Sequence, residues 1–379
     1  MDFALSPKHQ MLRNLFQEFA EKEVAPFAAE LDEKAEFPYQ AIKKMARMGM
    51  LGIPIPQEYG GAGADTLTQA IAVEEISRAC ASTGVIFGTH ISLGAQPIFQ
   101  SGTEEQKQKY LVPLAKGEFL GAFGLTEPNA GTDASNQQTV AILDKDEYVL
   151  NGTKIFITSG GVADIYIIMA MTDPSKGLKG ISAFIVEKGT PGLTFGKKEN
   201  KMGIRASTAT ELIFVDCRIP RANLLGKEGE GFKIAMRALD SGRVSVASQA
   251  LGIAQAALDE AVKYAKERQQ FNKPIASFQA IQWMIADMAT EIDAARLLIY
   301  RAAWLKDNNK PFSKEAAMAK LYASETASKC ANKAVQIHGG YGFIKEYKVE
   351  RLLRDARITE IYEGTSEVMR MVISGAALK

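Results

Sequence analysis

The hydrophobic period of this 379-residue chain changes twice, and those two changes limit the fold more than any other feature. Over residues 1–119 apolar side chains recur at helical spacing, as in Met11, Leu12, Leu15, Phe16 and Phe19. Over 120–230 the pattern becomes short runs of β-formers broken by turn residues, with no helical stretch between them. Over 231–379 the helical period returns in longer segments. Alternating strand and crossover helix would be needed for a parallel α/β fold, and that alternation is missing. The expectation is three domains: an N-terminal all-α domain, a middle antiparallel β domain (a sandwich or small barrel), and a C-terminal domain resembling a four-helix bundle.

Local signals place the elements. Ser6-Pro7 reads as a helix start, with a capping hydroxyl followed by proline at the first helical position. A second helix is expected from Pro38, closed by Gly49 and Gly52. The stretch 53–65 carries Pro54, Pro56, Gly60, Gly61 and Gly63. It follows no strand and has no lysine after its glycines, so it reads as a mobile surface loop rather than a phosphate cradle. Thr103-Glu104-Glu105-Gln106 is a capping box, and the helix it opens is expected to stop at Pro113. In the β region, Asn151-Gly152 lies between Tyr148-Val149-Leu150 and Lys154-Ile155-Phe156-Ile157-Thr158, which predicts a tight hairpin there. Further strands are expected at 165–171, 181–186 and 211–215. Ile281, Ile285, Met288, Ile292 and Ile299 share one stripe of a long helix, and Ser313 is expected to cap another that ends at Gly339-Gly340.

Composition excludes several functions. Lys and Arg total 45 against 44 Asp and Glu, a net charge of +1, so the dense positive face required by nucleic acid or an anionic membrane is not expected. Cys80, Cys217 and Cys330 are far apart, as are His9, His90 and His338, which argues against both a disulfide framework and a metal site. No apolar run has the length of a membrane span. The N-terminus lacks the marks of a signal or transit peptide, so a cytoplasmic protein is expected, or a mitochondrial matrix protein whose leader has been removed.

One acid stands out near the C-terminus. In Ile361-Tyr362-Glu363-Gly364-Thr365-Ser366-Glu367, a connector between two helical segments, Glu363 sits beside a glycine that lets a ligand approach the backbone. By itself such an acid reads first as a helix-flanking charge favoured by the dipole of the next helix, and only second as a general base.

Four stretches, met in order, resemble the flavin-dependent acyl-CoA dehydrogenases along nearly the whole chain. They are Phe123 to Asp133 (FGLTEPNAGTD), Lys154 to Gly161 (KIFITSGG), Gln336 to Gly342 (QIHGGYG), and the Ile361 to Glu367 connector. The resemblance implies FAD as cofactor and α,β-desaturation of an acyl-CoA, with Glu363 removing the α-proton while hydride leaves the β-carbon. It implies that Phe123, Leu125, Thr126, Thr132, Phe156, Ile157 and Thr158 line the flavin, with Phe156 standing where some members have tryptophan. Arg268, Gln270, Gln279, Gln336, Gly339 and Gly340 would hold the cofactor of a neighbouring subunit, and Thr365 and Glu367 would complete the cofactor site. Thr132, Asp240, Arg243 and Gly364 would contact the CoA thioester. A homotetramer, built as a dimer of dimers, follows from the shared cofactor site. An electron-transferring flavoprotein would be the redox partner.

Two positions narrow the substrate. Gly242 stands where some members of the family carry the base, which leaves Glu363 as its source. Val246 to Gln255 most resembles the short-chain, butyryl-CoA branch, and Gln249 is expected to project into the acyl slot and shorten it. The alternative for Gln249 is a buried helix glutamine bonded elsewhere. Two other functions fit the same residues: an enoyl-CoA reductase running the chemistry in reverse, and a flavin-binding helical scaffold without catalysis.

Overall fold

A computed structural model of the chain describes residues 4–378. Its elements follow the three expected layers. Helices α1 (Pro7–Phe19), α2 (Ala28–Lys34), α3 (Tyr39–Arg47), α4 (Thr66–Ala79), α5 (Ala81–Thr89), α6 (Gln96–Ser101), α7 (Glu104–Gln106) and α8 (Val112–Lys116) come first. Eight strands follow: β1 (Gly121–Gly124), β2 (Val140–Asp144), β3 (Glu147–Thr158), β4 (Ile165–Met171), β5 (Ile181–Glu187), β6 (Leu193–Phe195), β7 (Ala209–Pro220) and β8 (Leu224–Leu225). The chain closes with α9 (Gly231–Glu267), α10 (Gln279–Asp307), α11 (Ser313–His338), α12 (Lys348–Arg357) and α13 (Ser366–Ala377).

Ser6 caps α1 by accepting from the His9 amide at 3.2 Å, and Thr103 and Gln106 form the reciprocal capping box. That helix does not stop at Pro113. A π-turn over Lys107–Leu111 widens the backbone just ahead of the proline, and helical structure continues to Lys116, ending at Gly117 with φ 72°. A widened turn relieves the clash between a proline ring and the preceding carbonyls. The 53–65 loop is also not a loose surface segment. Ile53, Ile55 and Tyr59 are buried in it, and a Cβ on Gly61 would lie 2.1 Å from the Ile55 carbonyl oxygen, so the loop is packed on itself. Ser313 is the first residue of α11 rather than its cap, and its hydroxyl donates to Asp240 Oδ1 at 3.0 Å.

The strands form one sheet in the order β6-β7-β3-β2-β4-β5-β8, with β1 beside β4. Pairing is antiparallel except for β1 with β4 and the single contact Val140–Met171 between β2 and β4. The two halves face each other across a shared core: the Tyr148 ring on β3 meets Phe184 on β5 at 4.9 Å, and Ile168 on β4 joins Leu212 and Phe214 on β7. The expected hairpin at Asn151-Gly152 is absent. The turn lies at Lys145-Asp146, between the paired Asp144 and Glu147, and β3 runs straight through Asn151-Gly152 as a bulge against β7. Asn151 uses its amide to bond Asp216 across the bulge, accepting from its N–H at 2.8 Å and donating to its carboxylate at 3.2 Å. Gly152 fits because any side chain there would strike Thr139. A bulge and a turn make the same demand for unusual φ, which is why the dipeptide signal does not separate them.

The N-terminal helical domain locks onto the start of β1 through two neighbouring contacts. The fully buried His90 accepts from the Gly121 amide through Nδ1 at 3.0 Å, which leaves Nε2–H to donate to the Leu114 carbonyl at 3.1 Å. Beside it, Gly94 packs backbone against backbone on Gly121 at the start of β1. The two helical domains are joined through Glu74 on α4, buried between Arg13 of α1 at 2.7 Å and Arg296 of α10 at 3.0 Å.

Candidate active site

The site is assembled from three elements that meet at one cavity of about 400 Å³. The first is the segment after β1. Phe123, Leu125, Thr126 and Thr132 line the cavity from there. Two bonds to β3 fix this segment: Ile155 N–H donates to the Thr126 carbonyl at 2.9 Å, and Lys154 Nζ donates to the Leu125 carbonyl at 3.2 Å. Lys154 is wholly buried and paired with Glu127 at 2.6 Å, while Glu127 also accepts from the Gln138 and Thr139 amides. Burial pushes the Lys154 ammonium down to about 8, while Glu127, attracted by that ammonium, is held below the usual carboxylate range despite its burial.

The second element is the end of β3. Strict alternation would send neighbouring strand residues to opposite faces, yet Phe156, Ile157 and Thr158 all line the cavity. The reason is a second irregularity in the β3–β7 ladder, between Lys154 and Ile157, where Phe156 takes φ 56°. The bulge leaves the Phe156 ring 64% exposed at the cavity wall. An apolar ring held open beside two threonine hydroxyls and a chain of backbone groups suits a flat, heteroatom-edged ring system such as a flavin.

The third element is the connector between α12 and α13. Tyr362, Glu363 and Gly364 line the cavity from the opposite side. Glu363 has φ 54° and Gly364 φ 103°, two left-handed residues in succession. For a glutamate that conformation costs on the order of 1 kcal/mol or more. Both carboxylate oxygens of Glu363 are shielded from solvent and have no hydrogen-bond partner. Burial lifts its carboxyl to about 7 against the opposing pull of Lys320 and Arg243. The carboxylate lies over α9 where Gly242 leaves room: a Cβ at Gly242 would be 2.0 Å from Glu363 Oε2. The Glu363 amide N–H makes no backbone hydrogen bond among the described residues.

Other expected site residues fall into separate groups. Arg243 lines the cavity, but its guanidinium is committed to Asp240 at 2.7 Å and to the Glu363 carbonyl at 3.4 Å. Asp240 sits behind it and is not on the wall. Gln249 does not project into the cavity, contrary to expectation. It is buried on α9, donates to the Ala81 carbonyl at 3.0 Å and accepts from the Tyr362 hydroxyl, so it touches the cavity only through Tyr362. A glutamine amide has to satisfy both its ends when buried, and the nearest partners lie away from the cavity. Thr365 caps α13 by accepting from the Val368 amide at 3.3 Å, and Glu367 is exposed in the first turn, so neither reaches this cavity. Arg268, Gln270, Gly339 and Gly340 line a different pocket with Tyr341, over whose ring the Arg268 guanidinium lies at 5.4 Å. Gln279 and Gln336 are exposed at the first turn of α10 and the last turn of α11.

Sequence reasoning passed over Lys320. It lies on the alanine stripe of α11, among Ala316, Ala319, Ala323 and Ala327, and is fully buried with its ammonium donating to the Gly364 carbonyl at 2.6 Å. A lone charge on an otherwise apolar helical stripe was the available signal. The apolar wall formed by Leu93, Phe232, Met236 and Leu239 was likewise not foreseen, because nothing separates such residues from ordinary core. Among the described residues no cluster of His, Cys, Asp or Glu is arranged to hold a metal ion, and no helix is long and apolar enough to cross a membrane.

Known proteins match this arrangement end to end. Residues 6–118, 122–217 and 229–378 match the N-terminal, middle and C-terminal domains of acyl-CoA dehydrogenases. The short-chain specific acyl-CoA dehydrogenase of Clostridium acetobutylicum is 58% identical over 99% of both chains. The structure of butyryl-CoA dehydrogenase from Megasphaera elsdenii superposes with a TM-score of 0.98 at 53% identity, covering 100% of each chain. A solved structure described as "Electron transferring flavoprotein of Acidaminococcus fermentans: Towards a mechanism of flavin-based electron bifurcation" superposes with a TM-score of 0.99 at 57% identity over 100% of each chain. With all three domains matched in order and more than half the residues identical, the chain belongs to the FAD-dependent acyl-CoA dehydrogenase family.

Proposed function

We propose that the protein desaturates short-chain acyl-CoA thioesters, butyryl-CoA to crotonyl-CoA, and hands the electrons to an electron-transferring flavoprotein. The observation that carries the reading is the Glu363 carboxylate: buried, without a partner, and facing Thr126, Phe156 and Thr158 across one cavity. An α-C–H beside a thioester is a weak acid, so the base needs a raised pKa and the thioester oxygen needs a donor. Glu363 supplies the first, its carboxyl lying at about 7. Its backbone N–H supplies the second, directed to the same substrate by the left-handed turn. Phe123, Leu125, Thr126, Thr132, Phe156, Ile157 and Thr158 would hold the flavin ring, and bound FAD supplies the hydride acceptor. Gly364 leaves room for the thioester, and Leu93, Phe232, Met236 and Leu239 exclude water from the reacting carbons.

The short-chain preference rests on the relatives and on Tyr362, whose hydroxyl is tied to Gln249 so that its ring stays fixed in the cavity wall. The flavoprotein partner rests on the likeness to the Acidaminococcus chain. A homotetramer is supported by the second pocket, in which Arg268, Gln270, Gly339 and Gly340 would form half of an anion site apart from the Glu363 cavity, and by the open side chains of Phe271, Trp283 and Phe343.

Anaerobic titration of the purified flavoprotein tests the proposal. Butyryl-CoA is expected to bleach the flavin band with a higher kcat/KM than octanoyl-CoA, and Glu363→Gln to bind butyryl-CoA without bleaching. Bleaching of Glu363→Gln at the wild-type rate removes the residue from the role, and an octanoyl-CoA preference removes the short-chain assignment.

A further inference from the structure

The connector that carries Glu363 is held by two cations, one from each of two helices. Arg243 on α9 donates to the Glu363 carbonyl at 3.4 Å, and Lys320 on α11 donates to the Gly364 carbonyl at 2.6 Å. These are the two residues with left-handed φ, so the pair of bonds fixes the part of the loop least able to hold its own shape. Arg243 has a second partner in Asp240. Among the described residues Lys320 has none: it is fully buried among the alanines of α11, and the Gly364 carbonyl is the one hydrogen-bond acceptor it reaches there.

A buried ammonium is an expensive way to satisfy one carbonyl. Burying an ammonium gives up its hydration, and a neutral donor would meet the hydrogen-bonding need. The charge needs a second use. The ionisable groups around Lys320 are Glu363 and Glu360 on the connector side, Glu367 on α13 and Arg243 on α9. Glu360 is already taken by Arg357 at 2.7 Å and by the Ser328 hydroxyl, Glu367 is exposed to solvent, and Arg243 repels. Of these three carboxylates, Glu363 is the one whose oxygens are both buried and unpartnered among the described residues.

We infer that Lys320 is a positioning residue for the reaction: its ammonium holds the Gly364 carbonyl of the connector and favours the ionised form of the carboxylate on the adjoining Glu363. The inference rests on the reading of Glu363 as the base. Burial drives Glu363 toward the neutral acid, which cannot accept a proton, and Lys320 opposes that drive. Lys320 itself is lowered only to about 8, chiefly by burial, so it carries its charge where Glu363 titrates.

The test is the pH dependence of flavin reduction by butyryl-CoA, followed by stopped flow in the flavin-loaded protein. The rate falls on the acid side as Glu363 takes up its proton. Lys320→Gln keeps a donor for the Gly364 carbonyl but removes the charge. It is expected to move the acid limb up by about one pH unit, lowering the rate roughly fivefold at pH 7 and about tenfold on the lower part of the limb, while preserving the alkaline plateau. Lys320→Met, which removes donor and charge, is expected to show the same displacement and a lower plateau as well. Lys320→Arg, which keeps the charge, is expected to restore the limb to within a few tenths of a unit of wild type. Should the Met variant not fold, the Gln and Arg variants carry the comparison. Acid limbs that overlie the wild type in Lys320→Gln, with only the melting temperature lowered, overturn the inference and reduce Lys320 to a structural residue. The base assignment fails separately, and only if Glu363→Gln still bleaches.

Discussion

At the residue scale, the property that would suit Glu363 to the proposed role of base also weakens the fold. Its carboxyl is raised to about 7 from an ordinary 4.5 because burial disfavours the charge. The folded state therefore binds this proton more tightly than the unfolded chain does. That contribution is complete below about 4.5 and is lost as the pH rises through about 7. Glu363→Gln escapes the loss. Its denaturant midpoint is expected to exceed the wild type by the equivalent of about 2–3 kcal/mol at pH 8, with the difference gone by pH 4, as a urea titration at both pH values would show. Gln249 gives a second prediction at this scale. Gln249→Ala releases the Tyr362 hydroxyl and opens space behind its ring, so the octanoyl-to-butyryl ratio of kcat/KM is expected to rise about tenfold, the equivalent of ~1.4 kcal/mol. An unchanged ratio in steady-state assays would show that Tyr362 holds its place without the glutamine.

At the scale of elements, His90 ties the end of the N-terminal helices to β1 as a neutral ring. Burial pushes its pKa down to about 4 from 6.5, so here the unfolded chain binds the proton more tightly. The stability this tie provides is present above pH 6.5 and is lost as the pH falls toward 4. The wild type is expected to lose about 2 kcal/mol between pH 7 and pH 5 from this group, and His90→Asn, starting less stable, to show a flatter pH dependence in urea melts. Elements were also where the sequence was most readable. The change of period gave the three layers, and Ser6-Pro7 and the capping box gave true helix starts. It failed where one local signal serves two geometries. Asn151-Gly152 marks a bulge instead of a turn, and Pro113 rides through a helix on a π-turn. Of the site, the wall residues after β1 and at the end of β3 were legible only through their motifs, since β-propensity alone explains a threonine in a strand. Phe156, Ile157 and Thr158 share a wall because of a ladder irregularity that has no mark in the residue types. Lys320 and the Gln249–Tyr362 bond depend on how α9, α11 and the connector meet, which no single segment encodes.

At the scale of the whole molecule, the proposed tetramer would bury side chains that one chain leaves open. Phe271 is 86% exposed on the tight turn after α9, Trp283 61% on α10, and Phe343 87% beyond Gly340. Exposed apolar rings of this size are the kind of surface that the proposed interface would cover. Replacing Trp283 and Phe271 together by serine is expected to yield smaller species in sedimentation velocity and to release flavin in the same step. Flavin retained by a stable monomer would refute the shared-site assembly.

The separation of the Arg268 pocket from the Glu363 cavity has a consequence for how the enzyme behaves when scarce. If each flavin needs one wall from each of two chains, then a lone chain is an apoenzyme, however well folded. Specific activity would then fall on dilution below the dimer dissociation constant, and added FAD would restore it by drawing chains back together. The cofactor would act as the fastener of the assembly as well as its redox centre.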